Sequence, residues 1–299
     1  MLISALAFCD WSELQKIRRD MLKVHTFPKT FTDKYNQLKN IISRETENLL
    51  TSIPTGTNIK DNVLKTCANI FTRHFCSLSF TYEDDEFQKM VRNFDEVFFE
   101  VNQGYLADFL EFLLPFHTKR LSRISSATRD IRQFVCKRII GKRRENFKQN
   151  DSCNDYVDCL IQQSKFNVED CTLNWNTALF ALEDVIGGHS AVGNFLVRVL
   201  CYIVRNPASQ VKIQDEIDSV TNYEVGRFRK VNISDRNKLP YTEAVILEAV
   251  RLISSPIVPR VANQNTSISG KFNGVNQKCE RYLSRQVFES PFIKINSTY

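Results

Sequence analysis

The stretch from about Leu173 to Arg205 constrains this chain more than any other. Leu179, Leu182, Ile186, Val192, Phe195, Leu196, Val199, Leu200 and Ile203 recur at helical spacing around much of a circumference, and Pro207 follows the end. A helix with so little polar surface belongs in a protein interior, with other helices packed around it. Inside it stands Gly187-Gly188-His189-Ser190. Each glycine costs a helix roughly 1 kcal/mol relative to alanine, and such a cost marks a close approach to the backbone.

The rest of the chain supports a helical fold. Nine Gly and eight Pro in 299 residues leave little punctuation for the turns of an all-β sandwich or barrel. The length suffices for a sizeable core of one or two domains. The net charge of +6 is a scattered excess of 40 basic over 34 acidic residues, so no nucleic-acid partner is expected. The densest basic run, Lys137-Arg138 with Lys142-Arg143-Arg144, reads as a solvated helix end. Nine cysteines form no C-x-x-C pair and no zinc-type spacing, which predicts reduced, mostly buried thiols. The apolar opening from Met1 to Cys9 is far shorter than the roughly 20 residues of a membrane helix, so no anchor or signal peptide is expected in this chain.

Periodicity predicts an amphipathic helix from Asp10 to about Lys23, on Trp11, Leu14, Ile17 and Met21. Further helices are predicted over Phe31 to Leu50, Asp61 to Phe75, Asp84 to Asn102 and Leu121 to Lys148. The aromatic segment Tyr105 to Phe116 reads as ordinary core, with a membrane-surface contact as the other reading. Pro240 to Ile253 is the last predicted helix. In it Glu248 and Arg251 share a face among Val245, Leu247, Ala249, Val250 and Leu252, where two charges need each other. Ser254-Ser-Pro-Ile-Val-Pro-Arg260-Val261 then reads as an extended strand with a polar turn into Thr266-Ser-Ile268.

The order of these features resembles the cytochrome P-450 family. Glu248-Ala-Val-Arg251 matches its E-x-x-R signature, set within Leu239-Pro-Tyr-Thr-Glu-Ala-Val-Ile-Leu-Glu. Glu183-Asp-Val-Ile-Gly-Gly-His-Ser-Ala-Val-Gly-Asn194 and Ser255-Pro-Ile-Val-Pro-Arg-Val-Ala262 are similar to the insect ecdysteroid-synthesis (Spook) group. The resemblance covers about Ala5 to Gly270. It implies a mainly α, cytochrome P-450-like helical fold, helices C to K plus a short strand region, incomplete. It leaves a partial domain over 1–270 and an unrelated tail, 271–299; because Gly270-Lys271 can be encoded across a splice-donor-like sequence, the tail is expected to be read from an intron.

By resemblance the family member binds haem b and receives electrons from NADPH through a cytochrome P-450 reductase. It oxidises a sterol precursor of the moulting hormone at the endoplasmic reticulum membrane. The resemblance makes Trp11 a haem-propionate contact. The usual arginine four residues on is Gln15 here, which leaves Arg18 as the nearest substitute. Arg260 is the second propionate partner, a role suited to a guanidinium that is always charged. Gly187 and Gly188 match the groove over the haem. The acid and alcohol that normally follow are Ser190 and Ala191, so proton delivery would rest on His189, Ser190 or water. Glu248 and Arg251 are a structural core pair, and Ser254, Ser255, Ile257 and Val258 line substrate.

The loop F-x-x-G-x-R-x-C-x-G, whose cysteinate binds the iron, has no match in these 299 residues. Counting back from Cys279, Phe272 fits, but Val275, Gln277 and Arg281 stand where Gly, Arg and Gly belong; Cys279 is therefore not expected to be a ligand. The expectation is a haem monooxygenase by family whose 299 residues are inactive on their own. The alternatives are a non-catalytic truncated helical protein and a generalist xenobiotic-oxidising member.

Overall fold

Side-chain caps set where the helices begin. Thr32 accepts from the Tyr35 amide ahead of α2 (Asp33–Ser52), Asn58 from the Lys60 amide ahead of α3 (Ile59–Cys76), and Asp84 from the Phe87 amide ahead of α4 (Asp85–Val101). Helix α3 stops at Ser77, whose left-handed backbone (φ 53°) turns its amide back onto the Arg73 carbonyl. Before them lies α1 (Glu13–Thr26). After them come α5 (Thr118–Phe134), α6 (Gly141–Asn146), α7 (Tyr156–Phe166), α8 (Trp175–Arg205), α9 (Pro207–Thr221) and α10 (Pro240–Ile253). This computed structural model describes residues 13–26, 28–53, 58–103, 105–108, 110–148, 151–166, 175–221, 229–253, 266–268 and 271–273.

The chain divides into two compact units, 1–253 and 254–299. In the first, α3, α4, α5 and α7 pack against α8. Their core joins Leu64, Ala68 and Phe75 to Phe87, Met90 and Phe94, then to Ile131, Phe134, Tyr156, Leu160 and Ile161, and closes on Leu179, Leu182 and Ile186 of α8. Each such side chain contributes about 1.5–3 kcal/mol on burial. Two ion pairs hold helices at the margins of this core. Arg73 on α3 meets the fully buried Glu45 of α2 at 2.6 Å, and Arg132 on α5 grips Glu183 of α8 with both nitrogens, at 2.8 and 2.6 Å. In the second unit, β1 (Thr266–Ile268) and β2 (Lys271–Asn273) form an antiparallel hairpin with Ser267 opposite Phe272.

Four expectations need correction. The helix predicted from Leu121 to Lys148 is interrupted by a π turn over Val135–Ile140. A wider turn puts residues five apart on one face, which lets Val135, Ile139 and Ile140 all enter the core. The segment Tyr105 to Phe116 is not core: it forms short 3-10 turns over Leu106–Asp108 and Glu111–His117, with Leu106, Phe112 and Phe116 largely exposed. Helix α8 is buried on one face only. Ala178, Leu179, Leu182, Ile186, His189, Ser190, Gly193 and Val199 face the core, while Val192, Leu196, Leu200 and Val204 stay open. Among the described cysteines Cys67 and Cys76 are buried, Cys136, Cys153 and Cys159 are half-buried and Cys201 is exposed, so the thiols are not mostly buried.

Candidate functional site

The glycines of α8 lie against aromatic rings. A Cβ on Gly187 would come within 2.9 Å of the Phe94 ring, and one on Gly188 within 2.9 Å of the Phe71 ring. The space these residues leave is thus filled from α4 and α3, a correction to the open groove expected there. One turn further, a Cβ on Gly193 would meet Leu64 Cδ2 at 2.7 Å. The three glycines let α3 and α4 approach α8 closely, which accounts for their cost to the helix.

His189 and Ser190 follow the notch into the interior, and both are fully buried. The His189 ring stands edge-on to Phe94, centroids 5.3 Å apart, and to Phe71 at 6.5 Å. Its Nδ1 is 2.6 Å from the Ile186 carbonyl, so Nδ1 carries the proton, and Nε2 is a buried acceptor without a hydrogen-bond partner. Burial pulls the imidazole down to about 4, against a partial upward pull from the Ile186 carbonyl and Asp95, so it is neutral at pH 7. Ser190 Oγ donates to Asp95 Oδ1 on α4 at 3.3 Å, and Asn194 Nδ2 donates to the same oxygen at 2.6 Å and to the Ser190 carbonyl at 2.9 Å. Lys60 on α3 pairs with Asp95 Oδ2 at 2.7 Å. The result is a polar network from the surface ammonium of Lys60 to the buried hydroxyl of Ser190. The sequence reading missed Lys60, Asp95 and Asn194; the available signal was Asn194 one turn after Ser190, and an aspartate beside the core residue Phe94.

The other expected residues are placed less closely together. Helix α10 packs on α8 and α9. Arg251 Nε donates to Glu248 Oε2 at 2.7 Å, but the two side chains are 63% and 52% exposed, and the buried residue of α10 is Ala249. The pair forms at the surface, not within a core. Arg18 is 2% exposed, with Nη1 3.3 Å from Gln15 Oε1. Trp11, Arg260, Ser254, Ser255, Ile257, Val258 and Cys279 lie outside the described residues. A cavity of about 410 Å³ opens where the π turn meets the start of α8, lined by Cys136, Ile140, Gly141, Arg144, Glu145 and Trp175; it contains none of the residues expected to bind cofactor or substrate.

A helical core notched by three glycines around one long helix can be compared with known proteins. The family described as Cytochrome P450 matches residues 5–274. The chain belongs to the cytochrome P450 family. It is 42% identical over 273 residues to Cytochrome P450 307a1 of Drosophila melanogaster, a match covering 89% of this chain and 49% of the relative. It is 30% identical over 280 residues to the Steroid 17-alpha-hydroxylase/17,20 lyase of Rana dybowskii, covering 88% of this chain and 52% of that one. The chain therefore spans about half the length of these curated relatives. Among solved structures, a zebra fish cytochrome P450 with progesterone superposes with a TM-score of 0.69 at 20% identity, over 92% of this chain and 63% of the other, which shows the shared fold.

Members of this cytochrome P450 family are haem-bearing monooxygenases. The described residues offer a porphyrin one apolar wall, the open strip of α8 at Ala191, Val192 and Leu196. They offer little else that suits it. The glycine faces of the notch are occupied by Phe71 and Phe94. By themselves the described residues do not fit the group.

Proposed function

We propose that this chain derives from a haem-dependent monooxygenase of insect ecdysteroid synthesis that oxidises a sterol precursor. The observation that carries this reading is the 42% identity to Cytochrome P450 307a1, maintained over 89% of the chain. The steroid hydroxylases among its relatives support a steroid-type substrate. In the whole protein Trp11, Arg18 and Arg260 would meet the haem propionates, and Ser254, Ser255, Ile257 and Val258 would line the substrate. The redox partner is an NADPH-dependent reductase at the endoplasmic reticulum membrane. The exposed Leu106, Phe112 and Phe116 give that membrane an apolar surface to meet.

Within the chain, the network of Lys60, Asp95, Ser190 and Asn194 fixes α3 and α4 to the notched turn of α8 and holds a proton donor, the Ser190 hydroxyl, at a defined place. His189 stays neutral beside it. We further propose that residues 271–299 are intron-derived and that the 299-residue polypeptide alone is inactive. Silencing the gene in the source animal should lower its ecdysteroid titre, with rescue by fed hormone. An unchanged titre, or loss only of the capacity to clear xenobiotics, would overturn the sterol reading in favour of a generalist oxidase.

A further inference from the structure

A chain of sulfur and imidazole contacts runs beneath α7, away from the notch of α8. Cys153 precedes α7 and Cys159 lies in its first turn. The intervening backbone folds back on that turn, because Asp158 Oδ2 accepts from the Asn154 amide and Asp155 Oδ1 accepts from the Asp158 amide, both at 3.0 Å. Cys153 Sγ donates to Gln162 Oε1 at 3.0 Å, one turn beyond Cys159 on the same face of α7, so both thiols flank one stretch of that helix. Cys159 Sγ is also 3.7 Å from Nε2 of the buried His25 on α1. On the other side of that ring, Lys34 Nζ lies 3.3 Å from Nδ1. An ammonium has only donors, so Nδ1 accepts and the ring proton sits on Nε2, directed at the Cys159 sulfur. Both cysteines are free and half-buried.

We propose that Cys153 and Cys159 form a redox-responsive dithiol that closes to a disulfide when it meets a peroxide. The Cys153 sulfur, as thiolate, attacks one peroxide oxygen. The O–O bond breaks, a sulfenic acid forms, and the departing hydroxide leaves as water with the proton that the thiol released. The Cys159 sulfur then attacks the sulfenic sulfur; the S–S bond forms, the S–O bond breaks, and the Cys159 proton departs with the hydroxyl as a second water. Two electrons pass from two thiols to the peroxide. Burial pushes the Cys159 thiol up to about 12, which keeps it protonated until the sulfenic acid stands beside it and leaves Cys153 to meet the oxidant. His25 is a positioning residue, its Nε2–H favouring negative charge on the sulfur as the proton leaves.

The pair can be read without interference, since trypsin would release both on one peptide, Gln149 to Lys165, with no other cysteine. The folded 299-residue protein is treated with hydrogen peroxide, blocked with iodoacetamide, digested and weighed. The expected peptide is unalkylated and lighter by two hydrogen atoms, before the buried Cys67 or Cys76 changes. In Cys153→Ser, Cys159 should remain open to alkylation after peroxide. In His25→Phe, closure should slow several-fold while dimedone still captures the Cys153 sulfenic acid. A peptide carrying two alkyl groups after peroxide, or closing no faster in the folded chain than in urea, would overturn the proposal.

Discussion

Replacing Gly187 or Gly188 with alanine should destabilise the fold although alanine is the better helix former. The new methyl meets the Phe94 or Phe71 ring at 2.9 Å, and overpacking of this kind costs about 1–3 kcal/mol. Urea denaturation measures it, and pairing Gly188→Ala with Phe71→Leu should recover part of the loss. Asp95→Ala should cost a similar amount, about 1–3 kcal/mol, because Ser190 and Asn194 lose their acceptor and Lys60 its partner. Substituting Lys16, half-exposed and 3.8 Å from Glu13, should cost almost nothing by comparison. His189 titrates near 4 when folded and near 6.5 when unfolded, so the unfolded chain binds its proton first as pH falls. Its contribution to stability is complete above about pH 6.5 and declines towards pH 4, by on the order of 3 kcal/mol. His25, pulled down to about 4 by burial and by Lys34 and His74, acts over the same window. Unfolding curves at pH 7.5 and 5 should therefore draw closer in His189→Leu without becoming equal. The glycines and His189 were legible as an anomaly in an apolar helix. Their neighbours were not, because Phe71 and Phe94 are ordinary helix-face residues whose partner only tertiary packing supplies.

At the scale of elements, helix existence followed from the 3.6-residue pattern, and α3, α4, α8 and α10 begin and end within a few residues of the predicted limits. Two errors have a common physical origin. Periodicity reports which residues are apolar but not what covers them, so it gave a core role to Leu106, Phe112 and Phe116 and a fully enclosed path to α8. The π turn escaped because no glycine or proline stands between Leu121 and Gly141; its only mark is two apolar pairs, Phe134-Val135 and Ile139-Ile140, spaced five apart. The clamp between α5 and α8 is a third element-scale feature hidden from sequence. Arg132 grips Glu183 with two nitrogens and lies over the Phe180 ring, 4.1 Å from its centroid. Arg132→Lys keeps the charge but loses the fork and the stacking, so thermal or urea unfolding should show a loss of about 1–2 kcal/mol.

For the whole molecule, α8 lies beside α10 with α3 and α4 seated in the glycine notch, within a fold shared with a solved cytochrome P450. The E-x-x-R pair made the family readable, although Glu248 and Arg251 meet at the surface here. What the described residues present beyond the scaffold is an exposed apolar strip of α8. A transcript joining the codon of Gly270 directly to an exon for the haem-binding loop would support the intron origin of 271–299, whereas a full-length transcript encoding those residues in frame would contradict it. The most direct measurement of the central claim is a carbon monoxide difference spectrum of the purified 299-residue protein, reduced and supplied with haem. No thiolate-type band is expected, because the cysteinate loop has no match in these 299 residues; the appearance of that band would overturn this reading.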